Sequence, residues 1–383
     1  MLSWVTKAAQ STLSAVAGTA EPIYGPEALQ SVAKQEDLNP KYEVTDDDVK
    51  WQALESTCAE TQTFYTETDG GHFVMLQIIY SNVSNIHISA QLNVKVFFPD
   101  GRVHWSAKTM TDYAFDPTFR SFFAGENGED FSIILNEAGD SYHIKSRLDP
   151  EVLVDVTIDR KVAGFKVGKD AKTNYGDDPA NPWGCIRHIF WPKNRASGTV
   201  EVKGEKVDVA GKNIFVMALQ GMKPHHAACK WNFITFQSDN VAAIMMEFTT
   251  PPSYGSQTVT VGTIFKDGVL LQGTTTGTVA HTATKMDPVT QWEEPTAFKV
   301  VWKGKTQDGK DTESVLETDL KPKLDCVDIM AEVPTIIKKF VAGAVGTRPY
   351  MYQYRQEVTL KIKVGEEVTE EKGMMFSEAT FIS

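Results

Sequence analysis

The chain has 383 residues, of which 42% are hydrophobic, 23% charged and 10% aromatic. That composition has room for one sizeable core or two, and it excludes a disordered chain, a collagen and a coiled coil. The formal charge of −12 repels nucleic acid phosphates and anionic headgroups alike at physiological salt, so no nucleic acid partner is expected.

The first residues, MLSWVTKAAQSTLSAVAGTA, lack the basic and continuously apolar regions of a secretory signal. At 100° per residue, Leu2, Val5, Ala9, Leu13 and Val16 share one face, with Trp4 toward its edge, while Ser3, Lys7, Gln10, Ser11 and Ser14 share the other. The pattern predicts an amphipathic helix over residues 1–18, ended by Gly18 and Pro22. Such a helix could pack on its own globular body. Its terminal position and Trp4 favour attachment to a membrane surface, by apolar insertion and not by charge. Residues 19–50, with Pro22, Pro26, Pro40 and the run Asp46-Asp47-Asp48, are expected to form a linker that acts as a tether. No later apolar run approaches the ~18 residues of a spanning helix.

From Trp51 onward, short alternating or β-branched runs are separated by turn residues every ten positions or so. Pro99-Asp100-Gly101, Glu137-Ala138-Gly139-Asp140 and Lys266-Asp267-Gly268 are hairpin signatures. One helix is expected from Pro334 to Val345, covering a barrel with Ile336, Ile337, Phe340, Val341 and Ala344. TVEVKGEKV, starting at Thr199, matches TLKIKVGEEV, starting at Thr359, and Phe98-Pro99-Asp100-Gly101 matches Phe265-Lys266-Asp267-Gly268. Both offsets are about 160 residues, the size of one all-β domain. The fold expected is all-β: two lipocalin-like antiparallel β-barrels in tandem, over residues 51–217 and 218–383, preceded by the amphipathic helix.

No phosphate loop, dinucleotide fingerprint, nucleophile elbow or zinc motif occurs, and neither a metal nor a cofactor is expected. Cys58, Cys185, Cys229 and Cys326 form no CxxC pair and read as small buried hydrophobes. Asn82-Val83-Ser84 fits the glycosylation pattern, which matters only in a secreted chain. The densest unusual cluster lies at the junction of the halves, in NPWGCIRHIFWPKNR, ALQGMKPHHAACKWNF and MMEFTTPPSYG. Its Trp183, Trp191, His225, His226, Trp231, Phe233, Met245, Phe248 and Tyr254 have the aromatic and thioether character of an apolar ligand pocket with a few polar groups. The same residues could instead form a packed seam. Adjacent histidines on a strand would point to opposite faces, so one at most would face a pocket.

The opening MLSWVTKAAQSTLSAVAGTAEPIYGPEAL, the junction ALQGMKPHHAACKWNFITFQS and the string MMEFTTPPSYG resemble the fungal survival factor 1 family over the whole chain. The resemblance implies a tandem lipocalin-like protein that binds ceramide, acts in sphingolipid transfer between endoplasmic reticulum and Golgi, and promotes survival of oxidative stress. It implies a cytoplasmic monomer held peripherally on those membranes, with the nucleus as a further location. Thr63 to Tyr80 is similar to strands of carotenoid-hydratase-type double lipocalins. Those enzymes carry an acidic residue in their junction motif, whereas Lys223-Pro224-His225-His226-Ala227-Ala228 has none before Asp239. A carrier is therefore expected, not an enzyme; the alternatives are a lipocalin-type hydratase or cyclase using His225 or His226, and a thiol-based stress sensor.

Overall fold

The computed structural model describes residues 22–329, 331 and 349–382. The helix expected over residues 1–18, with Leu2, Trp4, Val5, Ala9, Leu13 and Val16, lies outside the described residues, as does the helix expected from Pro334 to Val345. Among the described residues no helix is long and apolar enough to cross a membrane.

The first sheet is built from β1 (Cys58–Thr68), β2 (Phe73–Val83), β3 (His87–Phe97), β4 (Val103–Met110), β5 (Phe131–Leu135), β6 (Ser141–Asp149), β7 (Val152–Arg160), β8 (Gly184–Val202) and β9 (Gly211–Gln220), with short additional strands. Its order along the ladder is β4-β3-β2-β1-β9-β8-β7-β6-β5. The second contains β10 (Lys230–Gln237), β11 (Val241–Thr249), β12 (Thr258–Lys266), β13 (Val269–Thr274), β14 (Thr278–Met286), β15 (Glu293–Lys305), β16 (Asp311–Asp319), β17 (Tyr350–Val364) and β18 (Glu367–Phe381). Its order is β13-β12-β11-β10-β18-β17-β16-β15-β14. Strand for strand the two orders are the same, and each half pairs its first strand with its last.

Both short repeats occupy equivalent places in this duplicated topology. The Phe98 and Phe265 motifs join β3 to β4 and β12 to β13. In the second of these turns Asp267 and Gly268 both have positive φ, 52° and 83°, as a two-residue hairpin loop requires to match the strand twist. The Thr199 and Thr359 motifs lie at the ends of β8 and β17, where each strand turns back through Gly204 or Gly365.

On the strands that meet at the seam, alternation divides the side chains between a barrel interior and the face turned to the other barrel. On β8, Ile189 and Trp191 enter the first barrel's core, and Ile186 and Phe190 join the seam between barrels. On β10 and β11, Ile234, Phe236, Ala243 and Met245 fill the second barrel, while Phe233, Ile244 and Phe248 face the seam. Each barrel closes weakly at the same place in its topology. Ser106 on β4 donates to Asp149 of β6 at 2.6 Å, and in the second barrel a single register pair, Gly273 with Lys305, joins β13 to β15.

The linker expected over residues 19–50 is, from Pro22 onward, a packed strap. Two 3-10 turns, Pro26–Ala28 and Val32–Leu38, flank Leu29–Gln30, which pairs with Lys172–Tyr175. Ala28, Leu29 and Val32 are buried in the seam, and Val49 in the first barrel's core. The prolines and acidic run suggested looseness, but isolated apolar residues between them supply the anchoring, and Asp48 is buried beside Lys166 and Arg187.

Candidate functional site

The seam is an apolar layer contributed by both barrels and the strap. Tyr65 and Phe73 of the first barrel meet Phe233 and Phe376 of the second, with ring centroids 5.3 Å apart for Tyr65–Phe233 and 4.6 Å for Phe73–Phe376. Toward the strap the layer continues through Ile186, Phe248, Val259 and Val261 to Val32. His188 lies among them, its ring 5.8 Å from that of Trp231 and 6.0 Å from that of Phe190. Burial pushes its imidazole down to about 4, so it is neutral at physiological pH. Val32, Ile186, His188, Phe248 and Val261 border a cavity of about 10 Å³, room for a single water.

On its other side the seam is polar. Arg355 holds Glu67 through paired N–H donors, Nε at 2.9 Å and Nη2 at 2.6 Å. Lys95 reaches across to Asp325 and to Gln353. Gln353 also donates to Glu378 at 2.8 Å. Burial raises the Glu378 carboxyl to about 7, against the lowering influence of Gln353, Lys95 and Tyr65. Charged contacts thus join the two barrels on one side of the seam, and apolar contacts and the strap on the other.

The candidate residues divide among several environments. Trp231, Phe233, Phe248 and Tyr254 belong to the seam. Trp183 stands at its rim, 44% exposed, with Nε1 donating to the Tyr254 hydroxyl at 3.0 Å. Tyr24 of the strap lies against both rings, at 4.8 Å from Trp183 and 5.2 Å from Tyr254. Trp191 and Met245, expected in the same pocket, fall elsewhere. Trp191 is fully buried in the first barrel beside Tyr142 and Phe215, at 5.0 and 5.1 Å, and Met245 is in the second barrel's core. Composition placed them in one cluster; the two-residue period of their strands turns them to the far faces.

His225 and His226 are not on a strand. They occupy the short helical turn Pro224–Ala227, with ring centroids 4.2 Å apart at 77°. Burial lowers both, His225 to about 4 with contributions from His226 and Lys223. In both, burial disfavours the imidazolium form. The four thiols are also unactivated: burial raises Cys58 and Cys326 to about 11 and raises Cys185 and Cys229 as well. Asn82, of the glycosylation tripeptide, is buried with its amide donating to Leu54 O at 3.0 Å and Asn85 Oδ1 at 2.8 Å. Ile186, Phe190, Val259 and Val261 were not singled out from the sequence as site residues, though the alternation of β8 and β12 marks the face they share.

The model of the Svf1 family matches residues 6–383. The chain is 51% identical over 388 aligned residues to the ceramide-binding protein svf-1 of Neurospora crassa, with 100% of both chains covered. It is 49% identical to the ceramide-binding protein svf1 of Emericella nidulans, covering 98% of this chain and 99% of that one. Among solved structures, kievitone hydratase of Nectria haematococca superposes with a TM-score of 0.54 at 12% identity, covering 94% of this chain and 98% of that one; at that identity the likeness is one of fold.

Proposed function

The chain belongs to the Svf1 family, and from that premise we propose that it binds ceramide in the seam between its barrels and carries it from one membrane to another. The observation that carries this reading is the seam itself: an apolar layer drawn from both barrels and covered by a separate strap. Barrel interiors filled by Trp191, Tyr142 and Phe215 or by Trp302, Tyr352 and Met245 leave less scope for a two-chain lipid than a layer whose cover can move.

A lipid site requires hundreds of Å³, and the cavity at Phe248 has about 10 Å³. Loading therefore requires the strap to lift from Ile186, Phe248 and Val261. The Glu67–Arg355 and Lys95–Asp325 contacts hold the barrels together on the far side and act as the hinge. Each methylene that enters the opened layer contributes about 0.8 kcal/mol, offsetting the loss of Ala28, Leu29 and Val32. Trp231, Phe233 and Phe248 line the lipid chains. Trp183, Tyr254, His225 and His226 stand at the rim for the amide and hydroxyl head.

Residues 1–18 supply the membrane. Their amphipathic pattern runs directly into the strap, so insertion at the endoplasmic reticulum or Golgi surface pulls on the element that covers the seam. Survival of oxidative stress then follows from sphingolipid handling, a reading supported by the raised thiols. Burial disfavours the imidazolium form of His225 and His226, the form that would serve as general acid in a hydratase or cyclase, which supports a carrier.

The test is to purify the protein from its own cells and identify bound lipids by mass spectrometry, alongside Leu13→Asp and Val5→Asp. Intact ceramide, depleted in both variants, is expected. Lipid-free protein from every preparation contradicts the proposal.

A further inference from the structure

Ile23 is 87% exposed, the highest value for a large apolar side chain among the described residues. Trp183, at 44%, is its neighbour across the ring of Tyr24, whose centroid lies 4.8 Å from that of Trp183. Single exposed apolar residues are ordinary on a folded protein, but these two are joined by further apolar surface. Pro22, Pro26, Pro182 and Pro252 are exposed around them. Pro26 lies over Gly255, where an added Cβ would come within 3.2 Å of its ring, and Pro252 precedes Ser253, whose carbonyl accepts from both Tyr24 N and Gly25 N at 2.9 Å.

The patch is poor in unspent donors. Its four prolines have no N–H, and Tyr254 N and Gly255 N donate to Pro251 O and Pro252 O at 3.0 Å. The Trp183 indole N–H is held by the Tyr254 hydroxyl at 3.0 Å; indole has no other polar group, so what this ring exposes is hydrocarbon. Such a surface enters the boundary between headgroups and acyl chains at little desolvation cost. Position and charge select the occupant. The amphipathic pattern of Leu2, Val5, Ala9, Leu13 and Val16 runs to within a few residues of Pro22, so a surface that takes that face also meets the patch. Glu27, Asp177 and Asp178 are exposed beside it, and the Asn181 amide and Ala180 N–H hold the Asp178 carboxyl below the ordinary carboxylate range. These carboxylates repel anionic lipid, which leaves an electrically neutral bilayer.

We propose that Ile23 and Trp183, with the prolines beside them, form a second membrane-inserting patch that sets the strap's entry to the seam against a bilayer of neutral lipid. The inference rests on the membrane reading of residues 1–18 and adds to it the face of the folded body that meets the bilayer. One weakly apolar helix alone binds reversibly and leaves the barrels free to tumble. A second insertion point a few residues along the chain acts at high effective concentration and fixes their orientation. The rim at Trp183 then lies at headgroup depth, where a lipid leaving the bilayer passes directly to the seam.

The test is flotation of the full chain with vesicles of pure phosphatidylcholine, free of ceramide, so that lipid carriage plays no part. Ile23→Asp is expected to bind about tenfold more weakly than the parent and to melt at the parent temperature, since the side chain it replaces is exposed. Val269→Asp is expected to bind like the parent: Val269 is 67% exposed but lies beyond the far end of β12, about 26 Å along that strand from Thr258. Phosphatidylserine added to the vesicles is expected to weaken the parent. In Trp4→Phe, bromine-labelled phosphatidylcholine is expected to quench tryptophan fluorescence, and the quenching is expected to disappear when Trp183→Phe is added. Leu13→Asp separates the two attachments. Loss of binding in Leu13→Asp with none in Ile23→Asp upholds the helix and overturns the patch; the reverse upholds the patch and overturns the helix. A parent that does not float, quenching that survives Trp183→Phe, or a dimer that Ile23→Asp dissociates without loss of flotation also overturns the proposal.

Discussion

Asp48 and Lys166 stand 118 positions apart in sequence and meet at 2.8 Å in an ion pair whose two side chains are each 8% exposed. Arg187 reinforces it by donating to the Asp48 carbonyl at 2.6 Å. The pair fixes one end of the strap to the first barrel, so the strap's freedom is set by how it leaves the seam nearer Tyr24.

Removing one partner from such a pair strands a buried charge. Lys166→Met leaves Asp48 with Arg187 alone and is expected to cost about 3 kcal/mol in urea unfolding, while Asp48→Leu combined with Lys166→Met strands Arg187 in turn and recovers little of that loss. Hydrogen exchange should quicken across residues 28–49 in the single variant and stay unchanged in β15 and β16. Unaltered strap protection would show that the strap is held by its apolar contacts alone.

Neighbouring positions on β11 separate the seam from the barrel interior. Phe248→Ala is expected to lose about 3–5 kcal/mol of stability and most of the bound ceramide. Met245→Leu conserves volume within the second barrel, costs less than about 1.5 kcal/mol and leaves the ceramide in place. Lipid mass spectrometry of the two purified variants decides; loss from Met245→Leu alone would move the lipid into the barrel.

Glu378 gives the seam a pH dependence of known sign. Its folded carboxyl sits near 7, above the usual carboxylate range, because burial outweighs Gln353, Lys95 and Tyr65. The folded state therefore holds a proton that the unfolded state has released. Stability from this group is fully present below about pH 4.3 and is lost as pH rises through about 7. Glu378→Gln, which cannot ionise, should flatten that part of the profile and gain up to about 3 kcal/mol on the parent at pH 8 relative to pH 5. Parallel stability profiles for the two proteins would refute the assignment.

Because His188 and His225 are pushed down to about 4, histidine protonation should not gate lipid binding. Ceramide retention by the parent is expected to stay flat from about pH 5.5 to 8, and His225→Ala with His226→Ala, which removes two hydrogen-bonding groups from the rim, is expected to weaken retention to the same degree at every pH. A step near pH 6.5 that disappears in this variant would restore the enzyme-like reading of the pair.

The sequence discloses the duplication because its carriers are turns: Gly268 and its repeat Gly101 both adopt positive φ, 83° and 88°, and a glycine held to that conformation stays visible at its repeat. The junction cluster also points to the right region, since aromatic side chains are conspicuous. Which face each one takes depends on strand register, and a one-residue step separates Phe190 in the seam from Trp191 in the barrel. The strap is harder to read. Ala28, Leu29, Val32 and Val49 show neither a helical nor a strand period, and their burial comes from contacts made far away in the chain.

Photo-crosslinking with a ceramide carrying a diazirine in its acyl chain, followed by peptide mapping of the labelled protein, tests the central claim most directly. Adducts are expected on the strap around Ala28–Val32, on β8 at Ile186–Phe190 and on β10 and β11 at Trp231–Phe248, with the seam-facing residues labelled and Trp191 and Met245 unlabelled. Labelling confined to Tyr142, Trp191 and Phe215, or to Trp302 and Tyr352, would place the lipid inside a barrel and contradict binding at the seam.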